Sequence, residues 1–264
     1  MTPSAHEPAI AFDQVGLTTS DGRVILDRVS LEIATGSTTA LLGRSGSGKT
    51  TLMRTVNHLV VPTAGRVMVD AKPTTDWNPI ALRRSIGYVI QETGLFPHFD
   101  AERNIGTVLE IEGRPKSEIS ERARALFSQV GLDYATFARR LPYQLSGGQR
   151  QRVGLARALA AEPKFLLMDE PFGALDPLTR AEMQDMLRAL LDRLHKTVLL
   201  VTHDLDEALY LASHIVLLEA GKVVANLPAD EFLGSQIPAV QGYVRAVHRG
   251  TKAVANPENS GAVN

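Results

Sequence analysis

Apolar residues fall along the chain in short dense runs separated by turn formers, and two periods can be read in them. From residue 9 to about 90 the runs are AIAFDQV, VSLEI, TTALLG, GRVMVD and SIGYVI. Each has strand length and is flanked by polar or turn-forming residues. From 92 to about 160 the spacing turns helical. Within SEISERARALFSQVG, Ile119, Ala123, Leu126, Phe127 and Val130 share one face, and Gly131 supplies a stop. From 164 onward strands and helices alternate again: KFLLMDE, a helix near 178–194, TVLLVTHD, another helix, HIVLLEA and KVVANL. This order predicts an α/β sheet interrupted by a helical insertion. The predicted boundaries are a mobile N-terminus over 1–8, one domain over 9–249 with its helical subdomain at about 92–160, and a disordered, aperiodic tail over 250–264.

Three stretches carry candidate chemistry. TTALLGRSGSGKTT, residues 38–51, sets Gly43-x4-Gly48-Lys49-Thr50 after an apolar strand and before a helix beginning TLMRTV. Glycines let the backbone curl with its N–H groups inward around a phosphate. Lys49 then neutralises the β- and γ-phosphates, and the Thr50 hydroxyl ligates Mg²⁺. A flexible Gly/Ser turn would not call for a lysine and a hydroxyl at these offsets. The segment reads as a nucleoside-triphosphate site built from Gly43, Arg44, Ser45, Gly46, Ser47, Gly48, Lys49, Thr50 and Thr51.

KFLLMDEP ends an apolar strand in two carboxylates. Asp169 sits where α/β sheets bind ligands and suits a metal-bound water; Glu170 suits a base that orients or deprotonates an attacking water. His203 closes TVLLVT and is placed to reach the γ-phosphate or Glu170, although a lone histidine is more often structural. In LPYQLSGGQRQRVGLARAL, Ser146-x-x-Gln149 forms a capping box around Gly147 and Gly148. A glycine-rich turn opening a helix offers free N–H groups and the positive end of a dipole, which suits a second anion, with a plain helix N-cap as the alternative.

Composition removes competing classes. A net charge of −1 argues against a surface built to coat nucleic acid. Without cysteine there are no disulfides and no thiolate metal sites, which fits a cytosolic protein. The other six histidines lack metal-ligand spacing. MTPSAHEP has neither a basic start nor an apolar core of a signal peptide, and no run approaches the roughly 18 apolar residues of a membrane span. Work at a membrane would therefore go through partners.

The order Gly43–Thr50, Gln91, LSGGQ at 145–149, MDE at 168–170, ALD at 174–176 and His203 resembles the ATP-binding cassette ATPases of ABC transporters over roughly residues 9–249. The resemblance implies a P-loop NTPase core of ABC type. In it the helical subdomain lies between the loop of Gln91 and the strand ending in Asp169. It implies a head-to-tail homodimer, or paired cassettes, in which each ATP lies between one chain's phosphate loop and the other's LSGGQ. Ser146 and Gly148 would touch the γ-phosphate in trans, and Asp176 would lie across the interface. Gln91 would touch Mg²⁺ and the attacking water, and TGLFPHF at 93–99 would receive a helix of a membrane permease subunit, with local core as the alternative. Thr19 stands where an aromatic that stacks on adenine is expected, which implies weaker base selectivity.

VNHLVVPTAGRVMVD, LRRSIGYVIQETGLFPH, MDEPFGALDPLTR and VTHDLDEAL are similar to the importers of glycine betaine, choline, carnitine or proline betaine. The implied protein is peripheral on the cytoplasmic face of the membrane and served indirectly by a substrate-binding protein. It would lack the tandem regulatory domains that several relatives append. Alternatives are the cassette of another importer, a phospholipid-trafficking system, a soluble non-transport ABC ATPase, or a regulatory module without turnover. Intact Glu170 and His203 argue against the last.

Overall fold

Strands joined by tight turns and strands joined by helices separate into two sheets. The computed structural model describes residues 8–91 and 93–254, of which 248–254 as backbone only. The expected mobile N-terminus up to residue 7 and the tail from 255 lie outside the described residues. β1 (Ile10–Thr18) and β2 (Val24–Ile33) meet across the turn at Asp21-Gly22 and pair antiparallel. β3 (Thr38–Leu42), α1 (Lys49–Val56), β4 (Ala64–Val69), β5 (Lys72–Pro73), α2 (Pro79–Arg84) and β6 (Ile86–Val89) follow. The first sheet runs β2-β1-β4-β5 and is antiparallel throughout. One sheet was the expectation from the strand–helix alternation. It is two because no crossover helix separates β1 from β2. α2 was not expected either; Asn78 caps it by accepting from the N–H groups of Ile80 and Ala81, with Pro79 at the first helical position.

The helical subdomain holds α3 (Ala101–Ile111), α4 (Lys116–Gln129), α5 (Tyr134–Phe137) and α6 (Gly147–Leu159). The face predicted for α4 is buried: Ile119, Ala123, Leu126, Phe127 and Val130 pack with Ile105, Leu109, Val153 and Ala156. Gly131, at φ 68°, ends that helix in a doubly bonded cap. Leu132 N–H donates to Phe127 O at 2.9 Å and Gly131 N–H to Ser128 O at 3.1 Å.

β7 (Phe165–Asp169), α7 (Pro177–Leu194), β8 (Thr197–Thr202), α8 (Leu205–Leu211), β9 (His214–Glu219), β10 (Lys222–Pro228), α9 (Ala229–Phe232) and α10 (Pro238–Val254) complete the chain. α10 carries on past residue 249, so the tail expected from 250 starts too early. The backbone helix propagates where the apolar pattern gave no face. The second sheet runs β10-β9-β3-β8-β7-β6, parallel from β9 to β6. β7 and β8 are buried at every position, as central strands covered on both faces must be. Register aligns Leu42 with Thr202 and Asp169 with Val201. The carboxyl ends of β3, β7 and β8 therefore form one edge, and the helical subdomain leaves from β6 and returns to β7 beside it.

Candidate nucleotide site

The loop from Leu42 to Lys49 turns on Gly43. Its φ is 151°, and a Cβ there would sit 2.3 Å from Leu218 O and 2.9 Å from Ser47 Oγ, so only glycine fits. The loop is braced from behind. Gly221 N–H donates to Ser47 O at 3.0 Å and Asp27 N–H to Gly221 O at 2.9 Å, which ties it to the β9–β10 turn and the antiparallel sheet. Lys49 curls across the loop, its Nζ donating to Gly43 O at 2.8 Å and Arg44 O at 2.9 Å. Burial lowers its pKa, opposed by the charges of Glu170 and Asp169. Ser47 Oγ is buried without a hydrogen-bond partner. Arg44, Ser45 and Gly46 are exposed; Gly48 and Thr51 are half-buried.

Thr50 and the acidic end of β7 meet. Thr50 Oγ1 donates to Asp169 Oδ1 at 2.7 Å, and Asp169 is 2% exposed. On the other oxygen, Tyr88 Oη and Arg54 Nη2 each lie 3.5 Å from Asp169 Oδ2, and Arg54 Nε is 3.3 Å from Tyr88 Oη. Burial pushes the Tyr88 phenol up, and its bond to Arg54 raises the guanidinium. Sequence reasoning missed both residues. Arg54 had a signal: it follows Thr50 by one helical turn and so shares its face.

Glu170 has φ 44°, a left-handed backbone costing on the order of 1–3 kcal/mol in a non-glycine residue. Its N–H donates to Val201 O at 2.9 Å, which holds the turn. Gln91 Nε2 lies 3.4 Å from Glu170 Oε2, and His203 Nδ1 lies 3.4 Å from Oε1. The three residues singled out in separate parts of the sequence thus meet on one carboxylate. Among the described residues no group of three or more His, Cys, Asp or Glu is arranged to hold a metal. A hydroxyl and one carboxylate 2.7 Å apart, with a side-chain amide nearby, suit Mg²⁺, which takes few protein oxygens and completes its shell from phosphate and water.

The turn predicted as a second anion site stands apart. Ser146 Oγ accepts from Gln149 N–H at 3.2 Å and Gln149 Oε1 accepts from Ser146 N–H at 2.9 Å, the reciprocal cap expected. A Cβ on Gly148 would lie 2.6 Å from Thr179 Cγ2, so the small residue lets α7 pack close. Asp176 caps α7 through Thr179 N–H at 3.1 Å, and these bonds hold its carboxyl below the usual range. Among the described residues no hydrogen bond joins Ser146, Gly147, Gly148 or Gln149 to the phosphate loop.

A family model described as ABC transporter matches residues 26–173. The chain belongs to the ABC transporter family. The cassette is 45% identical over 232 residues to the choline transport ATP-binding protein OpuBA of Bacillus subtilis, covering 85% of this chain and 61% of that protein. To the osmoprotectant import ATP-binding protein OsmV of Salmonella typhimurium it is 44% identical, covering 80% and 57%. To the sulfate/thiosulfate import ATP-binding protein CysA of Mycobacterium bovis it is 45% identical, covering 82% and 63%. The chain thus spans about 60% of the curated relatives it matches. Its fold is similar to the dimeric ATP-binding cassette MJ0796 in a post-hydrolysis state bound to ADP and Pi, with TM-score 0.75 and 34% identity over 83% of this chain and 98% of that one.

Two further segments were singled out in the sequence. In 93–99, Leu95 packs against the helical core while Phe96 is 41% exposed. Asn104 clamps it, accepting from Phe96 N–H and donating to Phe96 O and Phe99 O. The Arg157 guanidinium donates to Thr93 O and Gly94 O at 2.7 Å each. Beside it a groove of about 450 Å³ is lined by Ile80, Arg84, Tyr88, Val108 and Ile111. Thr19 closes the β1–β2 turn instead of presenting a flat face; its hydroxyl bonds Asp21 Oδ1 and Arg23 O.

Behind His203, Arg180 reaches Leu175 O at 3.1 Å and Asp204 Oδ2 at 3.7 Å, linking the loop before Asp176 to the segment after β8. Glu207, at the start of α8, has Oε1 buried without a partner. Burial, then the charge of Asp204, pushes its pKa up to about 8 from 4.5. The folded state then keeps a proton that the unfolded chain releases above pH 4.5, so stability falls as pH rises from there towards 8. Raising pH from about 5.5 to 8.5 is expected to lower the melting temperature by several degrees, and Glu207→Gln to flatten that slope. Equal slopes in the two proteins would contradict it.

Proposed function

We propose that this chain is the ATP-hydrolysing subunit of a membrane ABC importer, working as a head-to-tail pair. The carrying observation is the Glu170 carboxylate, set between Gln91 and His203 at 3.4 Å each and one residue from the Asp169–Thr50 pair at the phosphate loop. In this reading the loop amides and Lys49 bind the β- and γ-phosphates. Glu170 orients or deprotonates the attacking water, and Gln91 and His203 hold that water and the γ-phosphate in line. Thr50, Asp169 and Gln91 would hold Mg²⁺, which supplies charge neutralisation on the phosphates. Ser146 and Gly148, on the dipole of α6, take the partner's γ-phosphate. ATP then bridges the pair, and hydrolysis removes the bridge.

The partners in this reading are permease subunits on the cytoplasmic face of the membrane, served by a substrate-binding protein. Exposed Phe96 and the groove beside Arg157 support one occupant, an amphipathic helix of a permease subunit. The cargo is a quaternary amine osmoprotectant, supported by the similarity to OpuBA, a choline transport protein, and OsmV, an osmoprotectant import protein. The equal identity to CysA makes sulfate the second reading. Purification from the native membrane, followed by ATPase assay with the binding protein, tests both. Stimulation by glycine betaine, choline or carnitine with a co-purifying multi-span subunit is expected. Stimulation by sulfate alone would replace the cargo, and absence of a membrane partner would sink the importer.

Base reading can be tested separately. Thr19→Tyr is expected to tighten ATP binding about fivefold or more, since base–aromatic stacking contributes roughly 1–3 kcal/mol. Unchanged affinity in equilibrium dialysis would show that another group reads the base.

A further inference from the structure

The peptide unit that follows His203 is fixed at both of its polar ends. Asp204 N–H donates to Thr202 Oγ1 at 3.0 Å. The His203 carbonyl accepts from Tyr243 Oη at 2.8 Å. A planar peptide held through its N–H and its C=O cannot swing, so the backbone angle that aims His203 is set. The ring does not hold itself: the His203 side chain is 61% exposed, and its 3.4 Å approach to Glu170 is too long for a strong hydrogen bond.

Resting on the reading of Glu170 and His203 as the hydrolytic pair, we propose that Tyr243 is a positioning residue for ATP hydrolysis, its hydroxyl fixing the peptide behind His203. Tyr243 stands on α10, whose apolar stripe of Val240, Val244 and Val247 packs with Leu42, Leu205 and Phe232. That cluster spans the end of β3 and the start of α8, so the hydroxyl is referenced to the scaffold that carries both the phosphate loop and the His203 segment. α10 also forms one wall of a groove of about 750 Å³, whose other walls are Arg44, Ser45, Glu170 and His203. The helix thus borders the reacting face directly. Burial and the nearby Asp204 push the Tyr243 phenol up to about 12, against Arg44, so it remains a proton donor at working pH.

The test compares the full chain with Tyr243→Phe, which keeps the ring and removes only the hydroxyl. Steady-state ATPase is expected to fall about tenfold in kcat, the size of one net hydrogen bond, with ATP affinity unchanged within about twofold. In imidazole ¹⁵N–¹³C spectra, with His203→Gln assigning the signal, the His203 resonance is expected to shift or broaden while His58 and His214 stay in place. Wild-type kcat in the Phe variant would overturn the proposal. So would a slower variant whose His203 resonance has not moved, since the loss would then come by another route. If the wild type hydrolyses nothing, the hydrolytic reading fails, and an unmoved resonance would still overturn the link between Tyr243 and His203.

Discussion

Glu170→Gln is expected to lower ATP turnover by a factor of about 10² or more, the usual contribution of a positioned base. The amide is isosteric and keeps its contacts with Gln91 and His203, so nucleotide binding survives. What is lost is the group that accepts a proton from the attacking water. Because the γ-phosphate then persists, the ATP-bound pair should accumulate and appear by light scattering. Glu170 already occupies a left-handed backbone, and the substitution does not alter that conformation. Its effect is therefore expected in kcat and not in thermal stability. Near-normal turnover would remove Glu170 from the chemistry.

Lys49→Ala is expected to weaken Mg-ATP binding by about 30- to 100-fold or more, because charge-assisted hydrogen bonds contribute roughly 1.5–3 kcal/mol each. The fold should tolerate it. Lys49 is 5% exposed, and its burial lowers its own pKa, so removing the charge relieves a desolvation cost while forfeiting two bonds to loop carbonyls. Equilibrium dialysis with labelled ATP gives the affinity, and a thermal melt gives the control. Tight binding by the variant would require another cation to neutralise the phosphates, with exposed Arg44 the candidate in the same loop.

What could be read without coordinates was what neighbouring residues dictate locally. The phosphate loop has a backbone or charge demand at each offset, and the cap of α6 needs only Ser146 and Gln149. Buried β7 and β8 announced themselves as unbroken apolar runs. Contacts that depend on tertiary placement were not legible outside the motifs. Tyr88 and Arg54 converge on Asp169 only because β6 lies beside β7 and α1 follows the loop. α10 was not read, although Pro238 and the spacing of Val240, Tyr243, Val244 and Val247 mark it. Splitting of the sheet depended on strand pairing, which apolar runs do not encode. Cargo could be read only through family resemblance. In the proposed assembly no residue of this chain touches it, and percentage identity to a choline and a sulfate protein is the same, 45%.

The central claim is that one nucleotide is shared between the phosphate loop of one copy and the LSGGQ turn of another. Mixing two inactive variants tests it most directly. Lys49→Ala spoils a copy's own phosphate loop, and Ser146→Arg spoils only the turn it offers to its partner. In a mixed pair, one site combines both defects and the other combines two intact halves. Equimolar mixing should therefore restore ATP hydrolysis well above the sum of the two variants measured separately. Activity that stays at that sum, with mixed pairs demonstrated by differential tags, would contradict the shared site.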